Sequence, residues 1–362
     1  MKFPLNGLKD AYFLKAIVVS NFRRLTFPFK FSYAVTYRCN LRCSMCYIWK
    51  KSHCRDELDI NEIDNFFRKS NRFSWVGITG GEPFLRPDLL DIIDIIMTHC
   101  KRLNAIHFAT NAQLKERILE AIDKIKSRDK KVKIVFSLSI DGPAELHDKI
   151  RGVSGTWGRA VDTLTALKKI KSVKPQINFT VSANNTGRFK DTFLSLKTAY
   201  PPLRFDDITV NIFQKSGFYY DNEEMPDLEA DRLKEEILNI QKMDKGGLSI
   251  NNFLRRRYLG LYGRYLATKK CPLKCQALSS TCFLDAYGDL FPCAVYNKKL
   301  INVRDMKEDL AVLWNSEYAR NLSYECSHHI CPGCWSPCDA YSAILGSLTY
   351  DSEPALKGNF NK

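Results

Sequence analysis

Cys39, Cys43 and Cys46 stand in a C-x3-C-x2-C array within CNLRCSMCYIW. Three thiolates this close can hold three irons of a cubane and leave the fourth iron without a protein ligand. An open position on a metal is a place for chemistry, as it is in catalytic metal sites generally. A zinc knuckle would need a fourth Cys or His nearby, and His53 and Cys54 follow at an unhelpful distance in a polar stretch. A second constellation comes late in the chain: Cys271, Cys275, Cys282 and Cys293, a gap, then Cys326, Cys331, Cys334 and Cys338 in CSHHICPGCWSPC. Eight thiolates suffice for two clusters of four ligands each. A zinc ribbon assisted by His328 or His329 is the other reading of this region. Cys54 and Cys100 fit neither array, and Cys100 ends an apolar helical run as a small buried hydrophobe. Thirteen cysteines in a chain without a secretory pattern are metal ligands before they are disulfides, which implies a cytoplasmic protein.

The elements that must position these residues are legible between residues 31 and 213. The runs FSYAVTY, WVGIT, AIHFAT, VKIVFSLSI, INFTVSA and ITVNIF alternate with DIIDIIMTHC, LKERILEAIDKIK and AVDTLTALKKIK, whose apolar residues recur at spacings of three and four. Strand and helix in alternation predict an α/β fold, a partial (β/α)6 TIM-like barrel whose active site lies at the C-terminal ends of the strands. The first cysteine array follows the first strand directly. After about residue 245 the alternation fades and the eight late cysteines appear, so the chain divides into an N-terminal segment (1–30), a barrel (31–245) and a small cysteine-rich domain (246–362). The stretch from Met225 to Met243 has a helical period and is the last barrel helix or the bridge to that domain. Gly288, five residues before Cys293, predicts a tight turn between two short strands.

With 362 residues, 45% of them apolar, the chain can bury a full core. Its formal net charge of +15 favours an anionic partner, but the basic residues are scattered, which argues against a nucleic-acid groove. No run of about 18 apolar residues is present to span a bilayer. Residues 11–30 (AYFLKAIVVSNFRRLTFPFK) join an apolar run to basic residues. They read as a helix packed on the outside of the barrel, or as one lying on a membrane surface.

The early cysteine array, with Tyr47 right after it, resembles the signature of the radical S-adenosylmethionine superfamily. TGGEP after the second strand supplies Gly80, Gly81, Glu82 and Pro83, similar to that family's glycine-rich motif at the methionine amino group. Two glycines let a backbone approach a ligand closely. SLSIDGPAELHDKIRG after the fourth strand resembles the S-x-D-G…H-D-x-x-R-G run of members with extra clusters. The resemblance implies that Ser139 bonds the cofactor ribose and that Arg151 holds its carboxylate, a task suited to a forked guanidinium. Read alone, Asp141 and Gly142 would be a turn and Arg151 a surface ion pair. The late cysteines, C…G-x4-C followed by C-x2-C, resemble the auxiliary-cluster domains called SPASM and twitch. The usual C-x2-C-x5-C-x3-C of SPASM has become C-x4-C-x2-C-x3-C here, so a single twitch-like cluster on Cys275, Cys293, Cys331 and Cys334 competes with two clusters.

The resemblance implies one catalytic [4Fe-4S] cluster, one or two auxiliary clusters, S-adenosylmethionine, and a reductant such as flavodoxin or ferredoxin. One electron from the reduced cluster would split S-adenosylmethionine into methionine and a 5′-deoxyadenosyl radical that abstracts hydrogen from the substrate. Asn111, Asn178 and Asn211 lie on or just after strands 3, 5 and 6, where they face the pocket or fill a polar barrel layer. The substrate is a peptide or a small anionic metabolite. Against a peptide stands the short run, about 30 residues, ahead of the cysteines, and against sulfatase maturation stands Ala294 where those relatives carry Asp. A different class of function, an iron-sulfur or zinc protein for binding or electron transfer without S-adenosylmethionine cleavage, would require the TGGEP and Ser139/Arg151 matches to be accidents. No residue stands out as the catalytic base.

Overall fold

Alternating burial along each strand shows why these runs form a sheet with one covered face. In β4 (Lys133–Ser139), Ile134, Phe136 and Leu138 are fully buried while Lys133, Val135, Ser137 and Ser139 on the other face are half exposed. The computed structural model describes residues 7–51, 55–247 and 249–348; His53 and Cys54 lie outside them. In chain order it comprises α1 (Leu8–Phe22), β1 (Lys30–Thr36), α2 (Ile60–Lys69), β2 (Trp75–Gly80), α3 (Leu89–His99), β3 (Ala105–Thr110), α4 (Lys115–Arg128), β4, α5 (Ala144–Arg151), α6 (Thr156–Lys168), β5 (Val173–Val181), α7 (Phe189–Ala199) and β6 (Ile208–Ile212). There follow α8 (Ala230–Met243), α9 (Ile250–Thr268), β7 (Thr281–Leu284), β8 (Asp289–Phe291), β9 (Ile301–Asn302), α10 (Leu310–Trp314), α11 (Glu317–Ser327) and α12 (Pro337–Leu345).

The sheet runs β6-β5-β4-β3-β2-β1-β7-β8-β9. β1 to β6 pair in parallel through crossover helices, and the sheet does not close. This is the partial barrel expected from the sequence, with the helices burying one face in a core that includes Ile63, Phe66, Ile92, Ile122 and Leu164. The inner face stays accessible: Ser32, His107, Ser137, Gln176, Asn178 and Asn211 are all half exposed.

Two features differ from the sequence reading. β5 starts at Val173, ahead of the expected INFTVSA, and carries Pro175 paired with Phe136. A proline removes a ladder donor and hides a strand start. More consequentially, the cysteine-rich region does not stand apart as a separate sheet. β7 pairs in parallel with β1, Phe31 opposite Cys282, and β8 and β9 extend the sheet antiparallel. The turn from β7 to β8 has Gly288 at φ +85°, the left-handed conformation the expected tight turn requires.

α1 lies against the N-terminal ends of the strands. Phe13 meets Phe29 and Trp75 with ring centroids 5.6 and 5.9 Å apart, Lys9 pairs with Asp129 at 2.6 Å, and Asp10 bonds Lys133. This is the packed-helix reading of the N-terminal run, ending at Phe22. Among the described residues, no helix is long and apolar enough to cross a membrane. At the other edge α9 packs beside β6 and α12, where Trp335 Nε1 donates to the Tyr258 carbonyl at 3.0 Å. Buried Arg255 of α9 is neutralised by Asp244 at 2.9 Å and donates to the Ile208 carbonyl at 3.0 Å. Cys100 caps α3 within the core, as its apolar surroundings suggested.

Candidate functional site

Cys39, Cys43 and Cys46 occupy the loop that leaves β1, at the C-terminal end of the parallel strands. A loop cannot satisfy its backbone by itself, and this one is clasped from two sides. At the end of α5, the Arg151 and Ile150 carbonyls accept from Arg42 N and Ser44 N at 3.0 and 2.8 Å. The loop after β6 supplies the Tyr220 carbonyl to Tyr47 N at 2.9 Å, and Asn222 Nδ2 donates to the Met45 carbonyl at 3.1 Å. Cys43 is buried, while Cys39 and Cys46 are half buried. Burial pushes the Cys39 thiol up to about 11 and the Cys46 thiol up to about 12, so iron binding must displace their protons.

The TGGEP segment closes over the same end. Gly80 has φ +135°, and a Cβ on it would sit 2.2 Å from the Thr36 carbonyl oxygen; a Cβ on Gly81 would sit 2.2 Å from that of Arg38. The two glycines are therefore needed so that this turn can press onto the end of β1, immediately before Cys39. In this structure they bring the turn against the start of the cysteine loop. Glu82 is fully buried: its oxygens accept from Thr110 Oγ1 at 2.8 Å, Asn111 N at 2.7 Å and Phe84 N at 3.2 Å. Burial nevertheless raises this carboxyl to about 7, against the lowering effect of those bonds. Asn111 is turned to Asn40 beside Cys39, with Nδ2 donating to Oδ1 at 2.8 Å.

Arg151, the last residue of α5, is buried and not at the surface. One Nη donates to Asp141, the other lies 3.5 Å from Cys43 Sγ, and Nε is buried without a partner. Asp141 in turn accepts from Thr180 N at 2.8 Å, and His147 Nδ1 accepts from Asp141 N at 3.1 Å while its Nε2 has no partner. Burial, then the neighbouring Arg151 charge, lowers His147 to about 3, so it is neutral at physiological pH. Ser139 and Asn178 are opposite each other on β4 and β5, both half exposed on the inner face, and buried Asn211 Oδ1 on β6 lacks a partner. Donor-rich, beside a cysteine and with one guanidinium nitrogen left open, this corner fits an anionic carboxylate near an iron. Unpartnered buried donors are the mark of a site completed by a ligand.

The late cysteines are brought together in part. Cys271, Cys275, Cys293, Cys326 and Cys331 pack in one cluster with Tyr296, and the charge of Cys334 is felt alongside those of Cys271, Cys275 and Cys293. Backbone N–H groups of Ala277 and Tyr296 donate to Cys275 Sγ and Cys293 Sγ at 3.5 and 3.4 Å, the kind of bond that tunes cluster sulfurs. The Cys326 thiol bonds Cys331, which favours the thiolate on Cys331. Two cysteines stand outside this group. Cys282 lies in β7 within the main apolar core, with burial alone acting on its thiol. Cys338, exposed on α12, has Lys30 and Asp339 as its charged neighbours, and Lys30 Nζ donates to its carbonyl at 2.6 Å. His328 stacks on Tyr324 and bonds its carbonyl at 2.9 Å, so it is engaged within α11. No three His, Cys, Asp or Glu side chains among the described residues converge closely enough to hold a single metal ion. A cubane spreads its thiolates over separate irons.

Sequence reasoning missed what joins the two cysteine regions. Tyr37, Tyr219, Phe283, Tyr287 and Phe291 form a buried apolar cluster, with Cys46 packed at one side and Ala294, next to Cys293, at another. Phe218 meets Phe291 at 4.4 Å, Tyr219 meets Phe283 at 4.9 Å, and Ser216 Oγ donates to the Ala294 carbonyl at 2.7 Å. The signal available was the run GFYY at 217–220, an aromatic density unusual for a surface loop.

Residues 33–182 match the family model of the radical SAM superfamily, and residues 275–349 match that of SPASM, an iron-sulfur cluster-binding domain. Mycofactocin maturase MftC of Mycolicibacterium smegmatis is 26% identical over 327 residues, 88% of this chain and 78% of that protein. The antilisterial bacteriocin subtilosin biosynthesis protein AlbA of Bacillus subtilis is 28% identical over 156 residues, 42% of this chain but 33% of AlbA. The fold is similar to the crystal structure of Streptococcus suis SuiB bound to S-adenosylmethionine, with a TM-score of 0.56 at 16% identity, covering 89% of this chain and 72% of that one. The two domains imply [4Fe-4S] clusters and S-adenosylmethionine as cofactors. The chain is therefore a radical SAM protein with a C-terminal SPASM-type auxiliary cluster domain.

Proposed function

We propose that this protein is an enzyme that cleaves S-adenosylmethionine reductively and abstracts hydrogen from a peptide substrate. The observation that carries the reading is the convergence, at one end of the parallel sheet, of Cys39, Cys43 and Cys46 with the Gly80–Glu82 turn and with Arg151, 3.5 Å from Cys43 Sγ. When bound, the reduced cluster supplies the electron that splits S-adenosylmethionine into methionine and a 5′-deoxyadenosyl radical. The three cysteines hold three irons, and Arg151, with its free Nε, orients the carboxylate of S-adenosylmethionine. Glu82 gives up its proton and faces the ammonium, and Ser139 holds the ribose from the inner face of β4. The roofing loop 214–222 and the aromatic cluster behind it keep water from the reacting bond.

Of the gathered late cysteines, Cys275, Cys293, Cys331 and Cys334 supply the ligands of one auxiliary cluster, with Cys271 and Cys326 beside it. The maturase and the bacteriocin-biosynthesis relatives support a peptide substrate. A second reading, a small anionic metabolite, is favoured by the formal net charge of +15.

The test is anaerobic reconstitution of wild type and a Cys39/Cys43/Cys46 triple alanine variant. Iron, acid-labile sulfide and 5′-deoxyadenosine formed after reduction are then measured. About eight irons falling to about four, with loss of 5′-deoxyadenosine, is the expected result. Deoxyadenosine formation retained by the triple variant would refute the assignment.

A further inference from the structure

The side of α1 that faces away from the barrel is apolar. Leu8, Leu14, Val18 and Phe22 are 73%, 59%, 56% and 63% exposed, and Tyr12 joins them at 42%. Exposed Lys15 shares this outward side, and the single acidic residue of α1, Asp10, is buried and bonded to Lys133. The opposite side is already spent on the barrel, where Ile17, Ser20 and Asn21 are buried. A helix already packed on one side, with an apolar stripe on the other, is one whose second side expects cover.

What surrounds this stripe decides the occupant. α1 crosses the N-terminal ends of the strands, so its neighbours are the turns that return the chain from each helix to the next strand. Those turns carry exposed cations: Lys101 and Arg102 before β3, Lys130 and Lys131 before β4, Lys171 before β5. The Arg102 guanidinium lies 4.8 Å over the Tyr12 ring, which brings this charge onto the stripe itself. The acid in the turn before β4, Asp129, is committed to Lys9 at 2.6 Å. An apolar helical stripe ringed by exposed cations matches the boundary between acyl chains and anionic headgroups, where each basic side chain near the surface adds about 1 kcal/mol. A face built for a second copy of the same chain would set like charges against one another around its rim.

We propose that α1 docks the protein on an anionic lipid surface, with Leu14, Val18 and Phe22 entering the interface and the return-turn cations engaging headgroups. The strands' C-terminal ends, with the cysteine loop, then face away from the bilayer. Binding and catalysis are therefore separable.

The experiment is flotation of the reconstituted protein with vesicles of phosphatidylcholine plus phosphatidylglycerol, and with phosphatidylcholine alone, across a salt series. Wild type should float with the anionic vesicles, lose that binding as salt rises, and stay behind with neutral ones. Leu14→Glu/Val18→Glu should lower partitioning on the order of a hundredfold while iron content, melting temperature and deoxyadenosine formation stay as in wild type. Absence of wild-type binding to the anionic vesicles at low salt overturns the proposal. So does a wild-type dimer that the double variant converts to monomer, since a second copy would then cover the stripe. Binding that appears only after deletion of residues 349–362 also overturns it, because the chain's own tail would be the occupant.

Discussion

The two cysteine regions of this molecule are built on opposite plans. Cys39, Cys43 and Cys46 come from eight consecutive residues on one loop, pinned by backbone bonds to α5 and to the loop after β6. Their geometry is local, so their spacing in sequence is nearly their arrangement in space. The late group is collected from three separated stretches, around Cys271 and Cys275, at Cys293, and from Cys326 to Cys334, and most of its members are buried. Its geometry exists only once β7, β8, α9 and α11 are in place. The lesson is that a reactive metal centre can sit on a loop that the fold holds from outside, whereas the auxiliary centre is part of what holds its domain together.

Loss of a ligand is the strongest way to break this comparison. Cys43→Ala should remove about four irons and all deoxyadenosine formation while the auxiliary iron remains. Cys293→Ala or Cys334→Ala should also remove about four irons, but with a marked fall in melting temperature, because removing metal from a buried thiolate nest removes folding free energy. Equal melting temperatures for the two classes, compared by calorimetry on reconstituted protein, would erase the distinction.

Next in size is Asp141→Asn. It leaves the Arg151 guanidinium buried beside Cys43 without its counter-charge, a change that typically costs about 3–5 kcal/mol, read by denaturant unfolding of the metal-free protein. A smaller effect sharpens the role of the Gly80–Glu82 turn. Burial lifts Glu82 to about 7, so in the free protein its favourable contribution is full at low pH and is lost as pH rises through about 7. Binding of an ammonium beside it requires the anion, so S-adenosylmethionine should bind more tightly from about pH 6 to about pH 8, by about tenfold in all. Glu82→Gln should flatten that profile, measured by equilibrium binding to the reconstituted enzyme. The smallest effect is expected at Cys282. Cys282→Ala should leave iron and sulfide unchanged and cost on the order of 1 kcal/mol, as a core truncation does. Loss of iron in this variant would return it to the ligand set.

How much the sequence discloses follows the same division. The six barrel strands were legible because apolar runs alternate with helical periods, and AIHFAT is found as β3 residue for residue. The start of β5 was hidden by Pro175, and the pairing of β7 with β1 was invisible, since four residues of strand carry no record of a partner some 250 positions away. That Cys39, Cys43 and Cys46 share one loop after β1 was legible from their spacing and from the strand ahead of them. Cys282 was not separable from the other late cysteines, because its exclusion rests on which face of β7 meets the core. Arg151 was recognised from its motif, but its bond to Asp141 and its approach to Cys43 depend on how α5 docks on the cysteine loop. The aromatic cluster of Tyr219, Phe283 and Phe291 joins residues from different elements and surfaced only in three dimensions.

The placement of β1 between β2 and β7 also sets an order of events during synthesis. Its second neighbour emerges from the ribosome only after Cys282 has been made, and at ordinary elongation rates that delay is on the order of tens of seconds. Throughout it, β1 presents one unpaired edge, a template for mispairing that asks for a chaperone. The same interval leaves the loop bearing Cys39, Cys43 and Cys46 free of the β7–β9 ribbon and of the aromatic residues that later pack behind Cys46. On that side the cysteine loop thus stays open until the late segment arrives to complete the sheet.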